Sequence, residues 1–161
     1  MIETYETVSE MLAELGPQLE VLEIAAWEEQ LSWAIAVDGD TVLTLDYDAA
    51  TAKLYIAAEL GPPPQDRLPS TYDFLLRYNL CWAETDGVRM ALDGPGGNVV
   101  QVFDISLHDL DSDKLGTVLP NFIALTRTMR AVVRNGISEP DSGSSVPEPH
   151  HVMIGQGSIQ A

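Results

Sequence analysis

Apolar residues along this 161-residue chain recur first every three to four positions and then every second position, and the changes of period predict the element order. Tyr5, Val8, Leu12 and Leu15 form one helical stripe, closed by Gly16 and Pro17, a helix-ending pair. Leu31, Trp33, Ile35 and Val37 then alternate with Ser32, Ala34 and Ala36. Leu43, Leu45 and Tyr47 alternate with Thr44 and Asp46, and Leu54, Ile56 and Ala58 follow. Turns at Asp38–Asp40 and Asp48–Thr51 separate these runs and predict a three-stranded antiparallel meander. Gly61-Pro62-Pro63-Pro64 ends it, because proline has no N–H for a strand ladder.

A second helix is predicted from Ser70 as N-cap, with Asp73 completing an approximate capping box. It carries Phe74, Leu75 and Tyr78 on one stripe, and Leu76 and Leu80 widen the apolar surface. Val88, Met90 and Leu92 make a fourth strand, Asp93-Gly94-Pro95-Gly96-Gly97 its turn, and Val99 to Ile105 a fifth strand. A last helix runs from Asp111 to Arg134 on a stripe from Leu115 to Val133. Arg127, Arg130 and Arg134 near its end suit the negative pole of the helix dipole. Pro120 lies inside this helix, at a cost of about 3 kcal/mol, so either the helix kinks there or Asp111 to Val118 forms a separate short turn, the kink being preferred because the stripe continues in phase. The order α-β-β-β-α-β-β-α defines an α+β fold: an antiparallel twisted sheet flanked by helices over residues 1–135.

Residues 136–161 differ in kind. Gly, Ser, Pro and acids dominate up to Pro149 with no apolar period, so a disordered acidic tail is expected. Val152-Met153-Ile154 is its apolar triplet, and His150-His151 has no carboxylate or thiol at ligand spacing.

The net charge of −17 changes the picture of partners. The first 52 residues hold twelve acids and no Lys or Arg; Lys53 is the first cation. Nucleic acid and anionic membranes require basic patches, so neither is an expected partner, and a cationic or mixed-charge protein is. Neither a membrane span nor a signal peptide is expected, since the first ten residues are acidic where an export signal is basic. The lone Cys81, between Leu80 and Trp82, excludes an internal disulfide and suits a reducing cytosol.

Candidate chemistry adds little. Gly94-Pro95-Gly96-Gly97 joins two strands, whereas a phosphate loop opens a helix and needs a Lys. His108 stands beside Asp109 and Asp111 in the loop entering the last helix, where Asp caps. Asp38, Asp40, Asp46 and Asp48 bracket tight hairpins and lack the loop a calcium site requires. The expectation is no enzyme, no metal and no cofactor.

Phe74-Leu75-Leu76-Arg77-Tyr78-Asn79-Leu80-Cys81-Trp82 resembles the Leu-Leu-x-x-Asn-Leu stretch in the second helix of the class I type III secretion chaperones, the Tir chaperone family. The element order, the acidity, the glycine-rich hairpin before Val99-Val100 and the long last helix match it too, over residues 3–134. Pro120 and the length of the link at residues 18–29 depart from the family pattern.

The resemblance implies a cytoplasmic, non-catalytic homodimer that holds the N-terminal region of a secreted effector in extended form, with no nucleotide. A small α+β regulator of the sensory-transduction type shares the topology without a secretion role and stays open as the alternative. The second helix carries more apolar surface than one core face absorbs. The expected dimer seam is therefore Tyr72, Phe74, Leu75, Leu76, Tyr78, Leu80 and Trp82. Met11, Trp33, Val42, Val100 and Val102 are the expected effector contacts. On the fifth strand both faces are apolar, and alternation alone does not say which is buried.

Overall fold

The computed structural model describes residues 4–81 and 83–138. Helix α1 (Tyr5–Leu15) leads into β1 (Glu23–Trp27), β2 (Ser32–Ala36), β3 (Val42–Asp48) and β4 (Lys53–Gly61). Helix α2 (Leu68–Leu80), β5 (Arg89–Leu92), β6 (Val99–Ser106) and α3 (Ser112–Asn135) complete the order. All six strands form one antiparallel sheet, ordered β1-β2-β3-β4-β6-β5.

The fold is the predicted α+β class with one strand more than the periodicity revealed. The extra strand is β1, inside the stretch read as a long link, so the meander has four strands. It gave no period-two signal because it is an edge strand of mixed exposure: Glu23, Ala26 and Trp27 are exposed, while Ile24 and Ala25 are half-buried. Ile24 packs against α1's end, where its Cδ1 lies 3.2 Å from where a Cβ on Gly16 would stand.

Ser70 does not cap α2. The helix starts two residues earlier, with Pro69 in the first turn, where its missing N–H costs nothing. The Ser70 hydroxyl instead donates to the Arg67 and Ile137 carbonyls, and the Thr71 hydroxyl accepts the Ile137 N–H at 2.9 Å. Arg67 Nη1 donates to the Asn135 carbonyl at 2.7 Å. The end of α3 is thereby tied to the start of α2. Gly136 makes the join possible: its φ of +66° is left-handed, and a Cβ there would stand 2.8 Å from Arg67. Residues 139–161 of the expected tail, and Trp82 of the expected seam, lie outside the described residues.

Helix α3 opens on Asp111, whose carboxylate accepts the Lys114 N–H at 2.7 Å. It runs unbroken through Pro120, so Asp111 to Val118 is not a separate turn. The proline itself is exposed, so its ring stands on the outer side of the helix.

The helices cover one face of the sheet. Trp33, Ile35, Leu43, Leu45, Leu54, Ile56 and Leu60 point into it and meet Val8 and Leu12 of α1 and Leu115, Leu119 and Phe122 of α3. Each such fully buried side chain contributes roughly 1.5–3 kcal/mol. Gln101 of β6 is the polar intruder, fully buried; its Nε2 donates to the Phe122 carbonyl at 3.2 Å and to Thr126 Oγ1 at 3.0 Å. It registers β6 under α3 at the expense of an Oε1 without a partner among the described residues.

Candidate functional site

Two surfaces follow from this architecture. The first is the face of the sheet opposite the helices. Strand alternation sends Val42, Val100 and Val102 to it, since their neighbours Leu43, Val99 and Gln101 point inward. The register sets out its floor. Ala25 lies opposite Ala34, Ala34 opposite Thr44, Thr44 opposite Ala57, and Ala57 opposite Val102. Ala36 faces Val42, and Val100 faces Glu59 on one side and Ala91 on the other. A floor of alanines and valines makes a shallow apolar trough, and no helix among the described residues covers it. Trp27 of β1 and Tyr55 of β4, both exposed, lie on the same face.

Charges ring the trough. Asp104 accepts from Lys53 Nζ at 2.6 Å and pairs with Arg89, bridging three strands. The Lys53 hydrogen bond, reinforced by Arg89, holds the Asp104 carboxyl below its ordinary range, and the same contact raises the Lys53 ammonium. Glu23, Asp46 and Glu59 also lie on this face, and none of them forms an ion pair with a described residue.

Of the five expected effector contacts, the structure gathers three on the trough. Val42 is 47% exposed, and Val100 and Val102 are half-buried. Met11 and Trp33 are corrections, since both belong to the core on the other side of the sheet. Trp33 is only 2% exposed, stacks on Tyr5, and donates its indole N–H to Ser9 Oγ at 3.1 Å. Met11 packs in the α1 core stripe with Val8, Leu12 and Leu15. Their size made them look like surplus apolar surface; α1 absorbs it.

The second surface joins α2 to β5, the far edge of the sheet. Leu76 and Leu80, one turn apart, are 71% and 79% exposed. Leu92 of β5 is exposed beside them. A cleft of about 220 Å³ opens between the two elements, lined by Tyr72, Leu75, Leu76, Asn79, Met90 and Leu92 among others. The expected seam divides here. Leu76 and Leu80 face outward, while Tyr72, Phe74 and Tyr78 are half-buried against the core. Leu75 is a correction: it points into the body and is buried, because it lies on the Thr71 stripe that faces the sheet. Burial also raises the Tyr78 phenol. The sequence pattern marks Leu92 only as a strand residue, since nothing in it places β5 beside α2.

The arginines of α3 serve as a clamp on the β2–β3 turn. Arg127 lies 3.5 Å from Asp38 and Arg134 4.0 Å from Asp40. Between them Arg130, buried, donates to Thr41 Oγ1 at 2.5 Å and to the Glu59 carbonyl at 2.6 Å. His108 is exposed in the turn before α3, where its N–H bonds Ser106 Oγ. Among the described residues no group of three or more His, Cys, Asp or Glu side chains is placed to hold a metal ion. Among them, too, no helix is long and apolar enough to cross a membrane.

Residues 10–130 match the family model of the Tir chaperone protein (CesT) family. The chain belongs to that family. Solved structures share the fold of this CesT-family chain. The ExsC–ExsE complex matches with a TM-score of 0.68 at 19% identity, over 82% of this chain and 97% of that one. The HopA1–SchA chaperone–effector complex matches at 0.61 and 19%, over 77% and 93%. The Yersinia pestis type III secretion chaperone SycH, in complex with a stable fragment of YscM2, matches at 0.56 and 24%, over 78% and 98%. A comparison with curated proteins gives no match.

Proposed function

We propose that this CesT-family chain is a cytoplasmic class I type III secretion chaperone that acts as a homodimer, without catalysis. Its client is the N-terminal segment of a secreted effector, held extended and kept competent for export. The observation that carries this reading is the trough: a sheet face floored by Ala34, Ala36, Ala57, Val42, Val100 and Val102 that no helix among the described residues covers. A bare apolar face of this kind marks a binding surface, and an extended chain suits its shallow floor better than a globular one. The acids around it, within a net charge of −17, keep such a surface soluble and favour a client of mixed or positive charge. The matching SchA and SycH structures are complexes with a protein partner, which supports the same role here.

The test is co-expression of the full chain with effectors encoded near it, each as full length and with its first hundred or so residues removed. Recovery of a soluble complex only when the N-terminal segment is present is the expected result. Recovery that is indifferent to that segment, or no recovery with any effector, overturns the reading.

A further inference from the structure

Asn79 lies one turn after Leu75 in α2, on the side that meets the sheet. Its carboxamide bonds a single residue of β5 twice: Nδ2 donates to the Met90 carbonyl at 2.9 Å, and the Met90 N–H donates to Oδ1 at 2.8 Å. A group that takes both the N–H and the C=O of one strand residue offers what a neighbouring antiparallel strand offers at a hydrogen-bonded pair. β5 is the outermost strand on its side and pairs only with β6.

Backbone groups of successive strand residues point alternately to the two sides of a strand. With Met90 turned away from β6, Val88 and Leu92 are turned away with it. Val88 is also occupied: its N–H donates to the Thr85 carbonyl at 3.0 Å, and its own carbonyl accepts from Thr85 Oγ1 at 3.3 Å. Two consecutive outward-facing residues of this edge are thus taken by side chain and turn before any partner arrives. A ladder needs successive free groups, and Leu92 alone does not supply them.

We propose that Asn79 is a positioning residue that closes the β5 edge: its carboxamide occupies the place of a strand at Met90, so a partner meets this side of the molecule through side chains and not through a backbone ladder. The same two bonds fix the rotation of α2 about its axis, which sets Leu76 and Leu80 outward. That second consequence rests on the self-association reading above, with a second copy as the partner; the closed edge does not. Of all residues in the Leu-Leu-x-x-Asn-Leu stretch, Asn79 is the one whose chemistry the apolar seam leaves unused.

The experiment is residue-resolved amide hydrogen exchange on the full chain, in wild type, Asn79→Ala and Asn79→Asp. Each is also measured with Leu76→Asp and Leu80→Asp, which removes the seam. With Asn79 present, the Met90 amide is expected to be protected in both backgrounds. Asn79→Ala raises its exchange by about tenfold or more while Leu45 and Ile56 stay protected, and Asn79→Asp, which keeps the acceptor but sets a carboxylate oxygen against the Met90 carbonyl in place of the Nδ2 donor, gives less protection than wild type.

An unprotected Met90 amide in the seam-less chain with Asn79 intact overturns the proposal, because the protection then came from the second copy. So does Met90 protection in Asn79→Ala equal to wild type. Should Asn79→Ala fail to fold, the seam-less chain with Asn79 intact still decides. If light scattering finds one copy in wild type, the self-association reading fails while the edge closure is judged by the same exchange data.

Discussion

Tyr5 lies flat against Trp33, with ring centroids 4.5 Å apart and planes 14° from parallel. The pair locks α1 onto β2, and Ser9 completes the lock by accepting the indole N–H. Trp33→Ala is therefore expected to cost about 3–5 kcal/mol of stability, read from the urea midpoint. Tyr5→Phe is expected to be neutral within about 0.5 kcal/mol, because the buried Tyr5 hydroxyl has no hydrogen-bond partner among the described residues. An unstable Tyr5→Phe variant would show that the hydroxyl has a partner after all.

The trough predicts the opposite behaviour. Val42→Asp combined with Val102→Asp places carboxylates on a surface open to water, so the empty chain is expected to lose no more than about 1–2 kcal/mol. Under a client's apolar side chains those carboxylates are desolvated, and effector recovery in co-expression is expected to fall at least about tenfold. Unchanged recovery from a folded variant would move the client elsewhere.

At the second surface, wild type is expected to scatter light as twice the 17.5 kDa chain mass. Leu76→Asp with Leu80→Asp is expected to halve that mass and leave the thermal transition of the single chain intact, since both side chains already stand in water. A wild-type mass of one chain at micromolar concentration removes the seam.

Asp104 carries the pH dependence of the open face. Its carboxyl is held below the ordinary value of 3.8 by Lys53 and Arg89, so the folded state binds fewer protons than the unfolded one as acid is added. Its contribution is complete above the unfolded value and is lost as the pH falls through the lower folded one. Asp104→Asn is expected to be less stable than wild type by roughly 1 kcal/mol at pH 7, with Lys53 and Arg89 partly exposed. The difference should shrink as the pH falls through the lowered folded value and vanish below it in parallel melts. A difference that persists in acid would assign the cost to packing.

Local periodicity by itself determined the three helices, five of the six strands and the hairpins between them, because burial against one partner layer imprints a period on the chain. Trp33 and Ile35 against Ala34 and Ala36 even hinted which side of β2 was the heavier. The rest waited on tertiary structure. β1 carries no period because an edge strand is buried on neither face evenly, and it took Ala36, Ile35 and their neighbours across the ladder to define it. On β6 the sequence offered apolar side chains in both directions. The structure buries Gln101 and leaves Val100 and Val102 half-buried on the open face, against the usual preference, because the Phe122 carbonyl and Thr126 of α3 stand where an amide is wanted. Which face of a two-sided strand becomes core depends on where a helix from elsewhere in the chain comes to rest. That choice is non-local, and so is the trough it leaves bare.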